Sequence, residues 1–449
     1  MYKTTTSLEK EFDAGTVYEI HERLGRYLDL TKAFIIEEPY IDRYWREEYS
    51  IHYSKTFYAD VDKFSTRVHM LNEDISRTED VNEGNYLGYF VLRPIPIRSG
   101  KISRIIVKPL REVFNMEEEE LYISASKFKV HISGKKLKLL TFPFYQQDST
   151  VVVCAHADIL MVTEHMHRKF NLNKPSIKDL ILYTLPIYGR SVPSIGLTLE
   201  QISVILNQMG YPVSIKFPFL DIGFSDASFR YFMEYIDSYL ESDLPTILAV
   251  KDHVISVVGH TLNTSDEKDY IVYDDSGALL EEMKGDKMFC ARVSCEELKG
   301  VIRGQIREDE NNVALINVEF ERMYFPFGSV KWLLDHILGG KGLDLMKYAT
   351  KKRVLVSDSN SFKMFCSGNG IVAFNDLPLP HYIWVAEIYM GDKIICDVVI
   401  DASAHKSDLD SWIAIWFENK IVFNPRYKLD GVDVEVRAGP SVYGNLDKF

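Results

Sequence analysis

Cys154 stands one turn into a stretch, Val151 to Phe170, whose apolar residues predict a helix opened by Ser149 or Thr150 as N-cap. Unpaired backbone N–H groups and the helix dipole favour negative charge there, so that is where a thiolate forms most readily. A single Cys among Val151, Val152 and Val153 is more often a small buried apolar residue, so chemistry requires partners. His253 opens an apolar strand and Asp274 closes the next one, 21 positions later. Antiparallel pairing can set the two opposite each other, with Cβ atoms about 4.5 to 5.5 Å apart. A one-residue slip would substitute Asp275. Gln147, with Gln146 as the alternative, lies just before the helix, where a side-chain amide can reach the same point as the Cys154 backbone N–H. Two converging donors make an oxyanion hole for acyl transfer.

The elements that must position these residues are legible in the hydrophobic patterning. The first ~135 residues open on a helical stretch around Tyr18 to Leu30 and continue in aromatic and β-branched segments such as Tyr89 to Leu92 and Ile105 to Val107. A short strand, Leu137 to Phe144, leads into the Cys154 helix, and a second helix follows from Ser176. Thr198, Leu199, Glu200 and Gln201 form a capping box for a third helix ending at Gly210. A fourth, Ser228 to Leu240, leads to strands at Thr246 to Val250, His253 to Val258 and Tyr270 to Asp274. The charged stretch Arg303 to Asn312 marks the next boundary. Beyond it come a helix around Val330 to Leu338, a turn at Gly339, Gly340 and Gly342, and strands at Tyr382 to Tyr389 and Lys393 to Ile400. The expected organisation is α+β in three parts: 1–135, 136–310 and 311–449. No Gly-, Ser- or Pro-rich linker separates them, so the flanking parts are expected to pack on the central one and restrict access to Cys154.

Composition removes several classes of function. Lys plus Arg is 52 and Asp plus Glu is 65, a net charge of −13, the wrong sign for gripping nucleic acid or an anionic membrane through the overall field. No apolar run approaches the ~18 residues of a membrane-spanning helix. The polar start, with Glu9, Lys10 and Glu11, does not read as a signal peptide. Five irregularly spaced cysteines without a CxxC pair predict free thiols in a reducing, bacterial-type cytoplasm. His156, Asp158, His165 and His167 share one helix but not one face, so no metal is expected. HEXXH, a P-loop and a dinucleotide-binding glycine fingerprint are absent, and no cofactor is expected. The aromatic run Tyr40, Tyr44, Trp45, Tyr49 and Tyr53 has helical spacing and reads as core.

The segment from about Leu137 to Leu280 resembles the papain-like cysteine peptidases, in their C39-like branch. Gln147 and Cys154 match the Gln and Cys at the start of that family's central helix. Gly196, Leu197 and Thr198 match a helix opening. Pro245, the strand Ile247 to Val250, His253, Val254 to Val258 and Gly259 match its histidine segment, and Tyr270 to Asp274 its closing strand. The resemblance implies a papain-like core flanked by N-terminal and C-terminal mixed α/β domains. It implies Cys154 as nucleophile, His253 as general base and acid, Asp274 as the residue orienting His253, and Gln147 as oxyanion donor. The expected substrate is a peptide bond in a protein or peptide. Acyl transfer or deamidation by the same triad, and a non-catalytic scaffold for protein binding, are the alternatives.

Overall fold

The computed structural model describes residues 2–57, 61–75, 77–95, 100–117, 119–184, 191–194, 196–220, 223–250, 252–262, 268–308, 313–339, 351–391, 393–405, 410–417, 420–424 and 432–433. The turn expected at Gly340 and Gly342 lies outside them. The chain divides into two compact units, Met1–Phe224 with Pro245–Val318, and Ser225–Leu244 with Glu319–Phe449.

This division differs from the expected boundaries at 135/136 and 310/311. Strands exchanged in both directions remove the first boundary. Glu120–Ile123, from the N-terminal part, pairs antiparallel with His253–Leu262. Phe144–Tyr145, from the expected peptidase segment, pairs with Ile102–Val107. The second boundary shifts because the helix Asp226–Leu240 belongs with the C-terminal residues. Its Tyr235 ring packs edge-on against Phe327, and Glu241, at its end, pairs with Arg353 at 2.9 Å. Periodicity identifies a helix but not the partner that covers its apolar face.

In the first unit, one sheet runs in the order Tyr2–Thr5, Ala33–Tyr40, Ser65–Leu71, Tyr86–Leu92, Ile102–Val107 and Phe144–Tyr145. The hairpin Ser126–Ile132 and Lys135–Thr141 lies over it. Its period-two pattern turns Phe128, Val130, Ile132, Leu137 and Leu139 inward and Lys127, Lys129, Lys136 and Lys138 outward. The aromatic run is core at Tyr44, Trp45 and Tyr53, which are buried, while Tyr40 and Tyr49 are half-buried.

The second sheet of this unit carries the site. Its order is Val213–Lys216, Ala314–Val318, Thr246–Val250, His253–Leu262, Asp269–Tyr273 and Cys290–Ser294, all antiparallel. The strand His253–Leu262 is bulged between Val257 and Gly259, beyond which it also pairs with Glu120–Ile123. A Cβ at Gly259 would come 2.1 Å from the Tyr122 carbonyl oxygen, so only glycine allows that approach. The central helix, Cys154–Phe170, packs on the His253 strand. Every residue from Ala155 to Met166 is buried, as expected of an interior helix. Each large aliphatic side chain among them contributes about 1.5–3 kcal/mol by leaving water. The short helices Ile177–Tyr183 and Leu199–Gln208 follow, the latter with the reciprocal Thr198 and Gln201 cap.

The second unit is an antiparallel sheet ordered Lys351–Asp358, Tyr382–Met390, Lys393–Asp401, Trp412–Phe417, Lys420–Phe423 and Val432–Asp433. The helix Ser359–Gly368 contributes Phe362 and Cys366 to its core. Among the described residues, no helix is long and apolar enough to cross a membrane.

Candidate active site

Cys154 is the first residue of the central helix, which starts three or four residues later than a cap at Thr150 or Ser149 would place it. Asp148 is the reason. Its Oδ1 accepts the backbone N–H groups of Thr150, Val151 and Val152 at 3.1, 2.8 and 2.7 Å, holding those residues in a loop. Ser149 takes a left-handed conformation, with φ at 59°. The Tyr53 hydroxyl donates to the other oxygen of Asp148 at 2.7 Å. The buried Arg93, paired with the buried Glu48 at 3.1 Å, donates to the carbonyls of Gln146 and Gln147 at 2.9 and 3.0 Å. The loop that presents Cys154 is therefore held by residues from the first hundred positions. The thiol itself is half-buried.

His253 begins its strand, paired with Val250 of the preceding one. Its Nε2 lies 2.8 Å from Asp274 Oδ1, and the Cys154 thiol neighbours the imidazole. The two residues are not directly opposite, as expected from spacing. Ser256 faces Tyr273, so the register extended by three residues sets His253 against position 276, with Asp274 as its diagonal neighbour on the same face. The carboxylate is heavily solvated by backbone. Oδ1 accepts the N–H groups of Ser276 and Gly277, and Oδ2 those of Leu279 and Leu280, at the start of the helix Ala278–Lys284.

These contacts set the charges. Burial alone would neutralise His253, but its hydrogen bond to Asp274, the Cys154 thiol beside the ring and the charges of Asp274 and Asp275 push it up to about 11. Burial likewise opposes ionisation of Asp274. The hydrogen bond and charge of His253, the charge of Arg23 and the Leu280 N–H outweigh it and hold the carboxyl down at about 2. A charged imidazole on the Asp274 carboxylate is the stable arrangement at neutral pH.

No protein-family model matches the sequence. No curated protein matches it either. Among solved structures, the chain is similar to the crystal structure of UfSP from C. elegans, at 13% identity and a TM-score of 0.26, over 40% of this chain. The chain spans 33% of the length of that structure, and a likeness so slight carries no argument. The reading of the site rests on its own geometry.

Of the two glutamines, Gln146 is committed elsewhere: its Nε2 donates to Glu19 Oε1 at 3.0 Å. Gln147 is half-buried and offers its backbone carbonyl to Arg93. The helix histidines and Asp158 diverge, as their spacing predicts. His156 accepts from the Val153 N–H at 3.4 Å and meets the Thr184 hydroxyl, and burial holds it down at about 4. His165 lies against the Phe142 ring, and His167 Nδ1 meets the Leu172 carbonyl at 2.7 Å.

Behind the imidazole stand two more buried carboxyls. Asp275 Oδ1 is 3.7 Å from His253 Nε2, and neither of its oxygens has a hydrogen-bond partner among the described residues. Asp158, one turn after Cys154, accepts from the Ser256 hydroxyl on Oδ1 and leaves Oδ2 without one. Burial pushes both up. Asp274 pushes Asp275 further, to about 7, against the opposing charges of His253 and Arg23. Asp275 in turn raises Asp158. His253, Asp274 and Asp275 also place one ligand atom each within 4.8 Å of one another, the spacing of a metal site. Six donors already occupy the Asp274 carboxylate, which leaves little of it for an ion.

The raised carboxyl of Asp275 has a consequence for stability. An unfolded Asp titrates near 3.9, so between about pH 4 and 7 the native state holds a proton that the unfolded state has lost. The stabilisation is complete below about pH 4 and is lost as pH rises through 7, by at most about 1.4 kcal/mol per pH unit. Urea melts from pH 4 to 8 should therefore show a flatter stability curve for Asp275→Asn than for the natural chain. Parallel curves would contradict this assignment.

Proposed function

We propose that the chain is a papain-like cysteine hydrolase that cleaves a peptide bond in a protein or peptide substrate. The observation that carries this reading is the single imidazole of His253, bonded to Asp274 Oδ1 at 2.8 Å and neighboured by the thiol of Cys154 at the first position of a helix. In this reading His253 already holds the proton of the pair, and the Cys154 sulfur attacks the scissile carbonyl carbon. The resulting oxyanion is met by the Cys154 N–H and the Gln147 side-chain amide. His253 then returns the proton to the leaving amine, and water, deprotonated by the same imidazole, hydrolyses the thioester. Asp274 keeps the ring oriented and its positive form stable.

The chain contains its own controls for a test. Cys290, Cys366 and Cys396 are buried, and burial pushes Cys290 and Cys396 well above the usual thiol range, whereas Cys295 is half-buried like Cys154. Timed labelling with iodoacetamide at pH 6 to 7, mapped by mass spectrometry, should modify Cys154 at least about tenfold faster than Cys295, because the charged imidazole of His253 stands beside it. Equal rates for the two would remove the basis for the triad.

A further inference from the structure

The helix Ala14–Asp29 reaches the candidate site through one buried guanidinium. Arg23 is 3% exposed, and its Nη2 donates to two consecutive backbone carbonyls, those of Asp274 at 2.8 Å and Asp275 at 2.6 Å. Its Nη1 donates to the Lys287 carbonyl at 2.9 Å, and its guanidinium lies 5.4 Å from the centre of the Phe144 ring. The backbone completes the attachment: the Phe289 N–H donates to the Arg23 carbonyl at 3.3 Å, and the Asp274 N–H to the Phe289 carbonyl at 3.0 Å. The turn closes tightly on this side chain. Gly277 has a φ of +71°, and a Cβ there would stand 2.2 Å from Arg23 Nη1.

One turn earlier on the same helix, Glu19 accepts from the Gln146 amide and from the N–H groups of Lys101 and Ile102, each at 3.0 Å. The helix thus holds both the residues before Cys154 and the turn bearing the two carboxyls. Binding two successive carbonyls fixes two peptide planes, and with them the direction in which the Asp274 side chain leaves the backbone. A planar fork does this; a lysine ammonium is a point charge without that geometry.

We propose that Arg23 is a positioning residue of the candidate triad, fixing the Asp274–Asp275 turn so that the Asp274 carboxylate stays on His253. The proposal rests on the Cys154, His253 and Asp274 reading given above. It makes the N-terminal helix a working part of the hydrolase, and a residue 251 positions from Asp274 a determinant of its imidazole.

The test uses the full chain with Arg23→Lys and Arg23→Gln. The readouts are the rate of Cys154 alkylation by iodoacetamide from pH 4 to 9 and the urea midpoint of each protein. Arg23→Lys keeps the charge and loses the fork, so a change in its profile reports position alone. Its acid limb should move to higher pH by about one unit, which is about a tenfold slower reaction at every pH below the natural chain's midpoint. Arg23→Gln should move it at least as far. A purely structural role would lower the urea midpoint and leave the profile of the folded protein unchanged. A folded Arg23→Lys protein whose profile superimposes on that of the natural chain therefore overturns the proposal, whatever Arg23→Gln does to folding. Failure of the underlying reading looks different: Cys154 of the natural chain would not outpace Cys295 at any pH.

Discussion

Cys154→Ala should abolish turnover while leaving the fold intact. The members of a nucleophile–imidazole–carboxylate set act as a unit, and removing the nucleophile costs about 10⁴-fold or more in kcat. The same change removes one sulfur from a half-buried position whose side chain caps no helix and whose backbone N–H is retained. The urea midpoint should therefore stay within the range of an ordinary surface substitution, about 0.5 kcal/mol. Release of new amino termini from a peptide library, followed for both proteins, measures the first effect. Undiminished release from the Ala protein would hand the chain to the alternative reading as a binding scaffold.

Asp274→Ala should lose activity and stability together, which separates its role from that of the thiol. On the catalytic side it removes the anion that holds His253 in its charged form, a loss of about 10⁴-fold by analogy with other triads. On the structural side four backbone N–H groups, those of Ser276, Gly277, Leu279 and Leu280, lose their acceptor. Each buried donor left without a partner costs about 1–3 kcal/mol, so the sum approaches the whole stability of a typical domain. Asp274→Asn keeps one carbonyl oxygen and should be milder in urea, yet still slow, because an amide cannot stabilise an imidazolium as a carboxylate does. An Asp274→Ala protein as stable as the natural chain would show that these N–H groups have other partners.

Much of the local structure was legible from patterning alone. The alternation of apolar residues located the strand Thr246–Val250 and the start of the strand at His253, and the Thr198 to Gln201 box located a helix N-terminus, because these signals are local. The sequence also brought a thiol at a helix start, a histidine opening a strand and an acid closing the next into one argument, since period and turn length limit where such side chains point. Its direct opposition of His253 and Asp274 was off by two residues, because the acid lies past the strand end, where the chain already turns toward a helix. The start of the central helix was misplaced for a similar reason: Asp148 captures three N–H groups that a helix would otherwise have used.

Other features depended on contacts between residues far apart in the chain. Nothing about Arg23 or Glu19 in an amphipathic helix distinguishes a solvated charge from one buried against a turn some 250 residues away, since both satisfy the same 3.6-residue period. The engagement of the Gln146 amide turned on Glu19, and the absence of a boundary near residue 135 on strands lent across it. Hydrophobic period and capping chemistry are properties of neighbours in the chain, so they determine which elements form and which face is apolar. Which element covers that face, and which buried charge meets which carbonyl, is decided by the packing of the whole chain.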